Sequence, residues 1–132
     1  MSVDENKEVI RRWVLARNTN NLEAALDSWV EAWHEGLRGG FSSMTNAFPD
    51  IHITIEDMLG EANKVVLVAT MTGTNSGTYQ NIPATGKVVT VTTIDIYTLE
   101  NGKIKSIVRQ ADSLGLLQQM GVTLSWQGEV IT

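Results

Sequence analysis

The spacing of apolar residues along this chain changes once, at Ile51, and that change sets the order of its elements. Ahead of Ile51 apolar side chains recur every third or fourth residue, the signature of a helix with one buried face. After it they alternate, the signature of a strand with one buried face. A block of helices followed by a block of strands that can pair in sequence predicts an α+β fold, since an α/β fold would interleave the two. Val9, Ile10, Trp13, Val14 and Ala16, following a helix cap at Ser2 or Asp4, predict a first helix over about 4–17. Leu22, Ala25, Leu26, Trp29, Val30 and Trp33 draw a second stripe over about 21–35, ended by Gly36. After the Gly39-Gly40 pair, Phe41, Met44 and Phe48 predict a short third helix that Pro49 stops.

Ile51, Ile53 and Ile55 alternate with His52, Thr54 and Glu56 and begin the strands. The β-branched run 64–74 returns antiparallel after the turn at Gly60 to Asn63, and a third run follows at 87–99. Asn101-Gly102 is a hairpin centre, because both residues tolerate the positive φ such turns need, and it leads into a fourth strand over 104–112. Leucines at helical spacing close the pattern with a helix over 113–121, leaving 122–132 as a terminal strand or tail.

A two-residue turn at Asn101-Gly102 fixes a register. It sets Leu99 opposite Ile104, Tyr97 opposite Ser106, Asp95 opposite Val108, Thr93 opposite Gln110 and Val91 opposite Asp112, all on one face. That face, with Asp95, Tyr97, Gln110 and Asp112 among apolar residues, is expected to line a small-molecule cavity. The other face carries Ile94, Ile96, Ile107 and Arg109. Helices can cover only one of two such faces, so a homodimer through the outer one is expected.

Composition removes whole classes of function. The 132 residues suffice for one domain over 1–132, and 42% apolar with 19% charged residues is a globular balance. A net charge of −5 with scattered Lys and Arg leaves no basic stripe for nucleic acid or an anionic membrane. The chain has no cysteine, so neither disulfides nor thiolate chemistry are available. Its polar N-terminus does not read as an export signal, and no apolar run is long enough to cross a bilayer, so the cytoplasm is the expected compartment.

The loop Asn81-Ile82-Pro83-Ala84-Thr85-Gly86-Lys87, the strand Ile94-Asp95-Ile96-Tyr97, the turn Asn101-Gly102-Lys103-Ile104 and the ending Asp112 to Gly121 together resemble the SnoaL-like polyketide cyclase family. Ala47-Phe48-Pro49-Asp50 and Ile55-Glu56-Asp57 fit the family's middle, and the resemblance spans about residues 5–121. It implies a cone-shaped α+β barrel shared with ketosteroid isomerase and scytalone dehydratase. It also implies ring closure by intramolecular aldol condensation, with an aspartate as acid and base and with no metal or organic cofactor. The family's aspartate falls on Asp112. This chain departs from the characterised cyclases by placing Asp95 where they have a histidine and Ala111 where many relatives have a tryptophan.

Buried in an apolar cavity, Asp112 would have its charged form disfavoured, and Asp95 on the same face would add like-charge repulsion, conditions that suit proton transfer. Capping of the helix that starts at Ser113 explains Asp112 equally well. His34 reads as the end of the second helix, where the helix dipole favours a cation, and the resemblance adds a place facing the pocket. His52 points to solvent, and two histidines so placed make no metal site. Trp13, Trp33, Met71, Tyr79, Tyr97, Val108 and Gln110 complete the expected substrate contacts, with the loop Ser76–Gly86 as a lid. The expected function is thus a cofactor-independent cyclase, lyase or isomerase acting on an apolar carbonyl compound. Epoxide hydrolysis, which needs Arg109 turned inward, and a non-catalytic ligand-binding or dimerisation module are the alternatives.

Overall fold

The computed structural model describes residues 1–131, with side chains described through Gly128. Thr132, the last residue of the expected tail, lies outside the described residues. Helix α1 (Val3–Asn18) starts at Ser2, whose hydroxyl accepts from the Glu5 amide at 3.0 Å while Glu5 returns the favour to the Ser2 amide at 3.1 Å. Its Val9, Ile10 and Val14 are buried against the sheet.

The expected second helix is broken. Helix α2 (Leu22–Asp27) ends at Ser28, a short 3-10 turn covers Glu31–Trp33, and α3 (His34–Ala47) runs straight through Gly36, Gly39 and Gly40 to Phe48. The cause is a tertiary hydrogen-bond exchange. Val30 N–H donates to the Ile104 carbonyl at 3.0 Å and Ile104 N–H to the Ser28 carbonyl at 2.8 Å, so this stretch pairs with a strand instead of continuing the helix. Trp29 thereby becomes a nearly buried side chain at the edge of the sheet, 3% exposed.

Strands β1 (His52–Glu61), β2 (Lys64–Thr74), β3 (Val88–Glu100) and β4 (Lys103–Ala111) form one antiparallel sheet in sequence order, as the alternating pattern demands. The sheet is open and carries two bulges. One lies at Glu56 in β1, directly after the exposed Ile55. The other lies at Lys105 in β4: Leu99 faces Ile104 as expected, but Thr98 faces Ser106, Tyr97 faces Ile107 and Asp95 faces Arg109. The extra residue shifts every later side chain of β4 to the other face. Its carbonyl is not wasted, since Trp33 Nε1 donates to it at 2.8 Å.

Helix α4 (Ser113–Gln119) follows, and β5 (Leu124–Trp126) with β6 (Glu129–Ile131) forms a separate two-stranded hairpin, the strand alternative for the tail. No described helix is long and apolar enough to cross a membrane.

Candidate functional site

Between α1, α3 and the inner face of the sheet lies a cavity of about 360 Å³. Its walls are largely hydrocarbon and aromatic: Trp13 and Val14 from α1, Leu37, Phe41 and Met44 from α3, Ile53 from β1, Leu67, Ala69 and Met71 from β2. Three tryptophans brace one side, Trp13 edge-on to Trp29 at 5.4 Å and Trp33 tilted against Trp29 at 5.1 Å. Rings held by rings cannot collapse inward without losing those contacts, which favours an open space beside them.

Three polar groups of the wall, Asp95, Tyr97 and Arg109, meet at β3. Asp95 is 1% exposed and accepts from Arg109 Nε at 2.8 Å and Nη2 at 2.9 Å, a two-point ion pair across the β3–β4 ladder. The Tyr97 hydroxyl donates to Asp95 Oδ2 at 3.2 Å and itself accepts from Trp13 Nε1 at 3.1 Å. Burial first, and then the charge of Asp95, push the Tyr97 phenol well above its ordinary value. Burial works against the Arg109 cation, but its hydrogen bonds to Asp95 and the carboxylate's charge outweigh that and raise it.

The structure brings some of the expected residues together and disperses others. Trp13, Trp33, Met71, Asp95 and Tyr97 share the cavity. Val108, 62% exposed, and Gln110 point outward, because the Lys105 bulge exchanges them with Ile107 and Arg109. Asp112, expected beside Asp95, is exposed and caps α4, its Oδ1 accepting from Gly115 N–H at 2.9 Å. β4 ends one residue before it, so its side chain leaves the ladder instead of entering the cavity.

His34 begins α3 instead of ending a helix, where the macrodipole has the opposite sign. Its half-buried ring sets Nε2 3.0 Å from the Trp29 carbonyl, outside the cavity wall. His52 is exposed. Tyr79 packs on Phe48 at 5.5 Å in a different cluster. The loop around it is stapled by buried Asn75, which donates to the Gly77 carbonyl at 2.8 Å and accepts from the Thr85 amide and hydroxyl at 2.9 and 2.8 Å. That loop contributes no side chain to the cavity wall.

Arg17 and the α3 face were not expected in the wall, Trp29 was expected only as part of a helical stripe, and Arg109 only under the epoxide-hydrolysis alternative. Arg17 stands one helical turn beyond Trp13, and that spacing was the signal available for it. Arg109 turns inward under the opposite strand parity, and the pattern of the sequence does not choose between the two because a bulge leaves no mark in it. Among the described residues no group of acidic or histidine side chains could hold a metal ion.

An open four-stranded sheet with helices over one face and a cavity between them defines an α+β protein of the nuclear-transport-factor-2-like kind. The profile of the SnoaL-like polyketide cyclases matches residues 7–120, and the chain belongs to that family. AclR from Streptomyces galilaeus superposes with a TM-score of 0.83 at 21% identity, over 91% of this chain and 87% of AclR. TsrD from Streptomyces laurentii gives 0.83 at 26% identity, over 92% of this chain and 98% of TsrD. IdmH from Streptomyces antibioticus, a candidate polyketide cyclase, gives 0.77 at 20% identity, over 89% of this chain and 99% of IdmH. No curated protein matches the chain significantly.

Proposed function

We propose that the cavity binds an apolar, polyketide-like carbonyl compound and that Asp95 moves a proton beside its carbonyl without a cofactor. One observation carries this reading: among the described residues Asp95 is the sole carboxylate in the cavity wall, and it is buried there. In such a cycle the carboxylate takes a proton from the carbon next to a carbonyl, and the bonding pair moves onto that oxygen as an enolate. The enolate carbon then attacks a second carbonyl, and the proton returns to the new alkoxide. Tyr97, whose proton is held by burial, serves as a donor at the same spot.

The second reading is ligand binding without turnover, favoured because the Asp95 oxygens already accept from Arg109 twice and from Tyr97. Epoxide hydrolysis gains Arg109 from the shifted register but loses its second carboxylate, since Asp112 faces solvent.

Exchange of the α-protons of 1-tetralone in D2O, followed by NMR, separates the readings. Wild type and Asp112→Asn should accelerate exchange and Asp95→Asn should not; binding of the ketone with no acceleration by wild type would leave the second reading. For the outer face we propose a homodimer, supported by exposed Ile94, Ile96 and Val108 at 48%, 38% and 62%. Light scattering should then give twice the chain mass for wild type and the single mass for Ile96→Glu with Val108→Glu.

A further inference from the structure

The cavity wall holds more positive charge than its own side chains neutralise. Its titratable members are Arg17, Asp95, Tyr97 and Arg109. Arg109 and Asp95 cancel one another, and Tyr97 keeps its proton, so two guanidiniums face one carboxylate and one cation is left over. That cation is Arg17. It is 6% exposed and forms no salt bridge within 4.0 Å among the described residues.

Arg17 Nη1 donates to the Phe41 carbonyl at 3.2 Å and to Thr45 Oγ1 at 3.3 Å, and the guanidinium carbon sits 4.3 Å from the centre of the Phe41 ring. These neutral partners orient the group and replace part of its hydration, but they do not cancel its charge. Its Nη2 is buried with no acceptor at all. Trp29 tells the same story independently, since its indole Nε1 is buried without an acceptor in the same wall. The remaining unpartnered buried side-chain atom among the described residues, Asn6 Oδ1, is no part of this wall. Buried N–H donors normally find partners, so two orphan donors carried by side chains of one cavity wall point to an occupant that brings acceptors.

We propose that the occupant is an apolar carboxylate, its anionic group seated on Arg17 and its hydrocarbon body against Trp13, Met44 and Ile53. The proposal rests on the cavity being the ligand site and adds the charge that the ligand carries. Trp29 N–H then serves a second acceptor oxygen on the same molecule. A guanidinium with free N–H groups suits a carboxylate better than a neutral carbonyl, because two charge-assisted hydrogen bonds form in a setting that water screens poorly.

2-Naphthoic acid and 2-naphthamide share a ring system and nearly the same shape but differ in charge, and their binding to the full chain can be followed by tryptophan fluorescence. The acid should bind at least about ten-fold tighter than the amide, a difference typical of one charge-assisted hydrogen bond. Arg17→Met should weaken the acid several-fold more than the amide and so bring the two affinities together, and Arg17→Lys, which keeps charge but not the fork, should fall between. Equal affinities in wild type overturn the carboxylate while leaving the cavity as a binding site, whether or not the variants fold. Equal weakening of both probes by Arg17→Met reduces Arg17 to a tie between α1 and α3 and also overturns it. If neither probe binds wild type, the proposal fails together with the reading beneath it.

Discussion

The inner face of β2 and β3 is continuous, yet its two halves are treated in opposite ways. Toward Val89 and Val91 it is covered by Phe48 from the end of α3 and by Leu116 and Met120 around α4, all nearly or fully buried in one hydrocarbon cluster. Further along the same face, at Thr93 and Asp95, the covering side chains stand off and leave a hollow of about 360 Å³ with an ion pair in its wall. Strand β3 changes along its length: it turns Val89 and Val91 inward at the packed end and Thr93 and Asp95 inward at the hollow. The cover changes with it: Phe48, Leu116 and Met120 settle onto the sheet at one end, while tryptophans braced against one another and the bare Gly36 and Gly40 of α3 hold space at the other. A protein can therefore keep its stability and its site on one surface by changing a few inward residues and what lies over them.

The largest expected effect lies in the packed half. Phe48→Ala should cost about 3–5 kcal/mol in urea unfolding, the range for emptying a filled aromatic site, while a ligand of the hollow still binds the folded fraction. A comparable loss of binding would show that the two halves are not independent.

In the hollow, Arg109→Met leaves the buried Asp95 carboxylate unpaired. Because half of the Arg109 side chain is open to solvent, a cost of about 2 kcal/mol is expected instead of the full value for a buried pair. Adding Asp95→Asn should restore part of it, and a double variant no better than the single one would mean that the pair is not where the energy lies.

Tyr97 gives a pH test of burial. Its folded-state value lies above the ordinary value of 10.0 for an unfolded tyrosine, so above pH 10 the unfolded chain loses a proton that the folded chain keeps. Stability should then fall as pH rises, by up to about 1.4 kcal/mol per pH unit, until the folded phenol also ionises. Tyr97→Phe should remove that share of the alkaline slope. An unchanged slope would place the phenol in water.

The smallest effect on stability, and the sharpest on the hollow, is expected from Gly40→Leu. A Cβ there meets nothing within 4 Å, and replacing a helical glycine is favourable by up to about 1 kcal/mol, so the thermal midpoint should hold or rise. Probe binding should be lost as the side chain occupies the cavity.

The order of helices and strands, the Asn101-Gly102 hairpin and the membership of residues 7–120 in their family were legible without coordinates, because periodicity and turn chemistry are local properties. The break at Ser28 to Val30 was not, since those residues have helical spacing and leave the helix only because Ile104 offers better hydrogen bonds. Asp95, Tyr97 and Trp13 were recognisable as wall residues from their faces. Asp112 was misplaced, since an aspartate before a helix serves as a cap or a buried acid with the same letters around it.

Sequence alone thus determined which elements form, in what order, and which side chains prefer to leave water. The tertiary structure decided, through one extra residue at Lys105, that Arg109 and not Gln110 turns inward to meet Asp95. Strand parity has a period of two, so a single inserted residue reverses every side chain beyond it. No local pattern records that reversal, because its compensation, the Trp33 indole on the Lys105 carbonyl, comes from a residue far away in the chain.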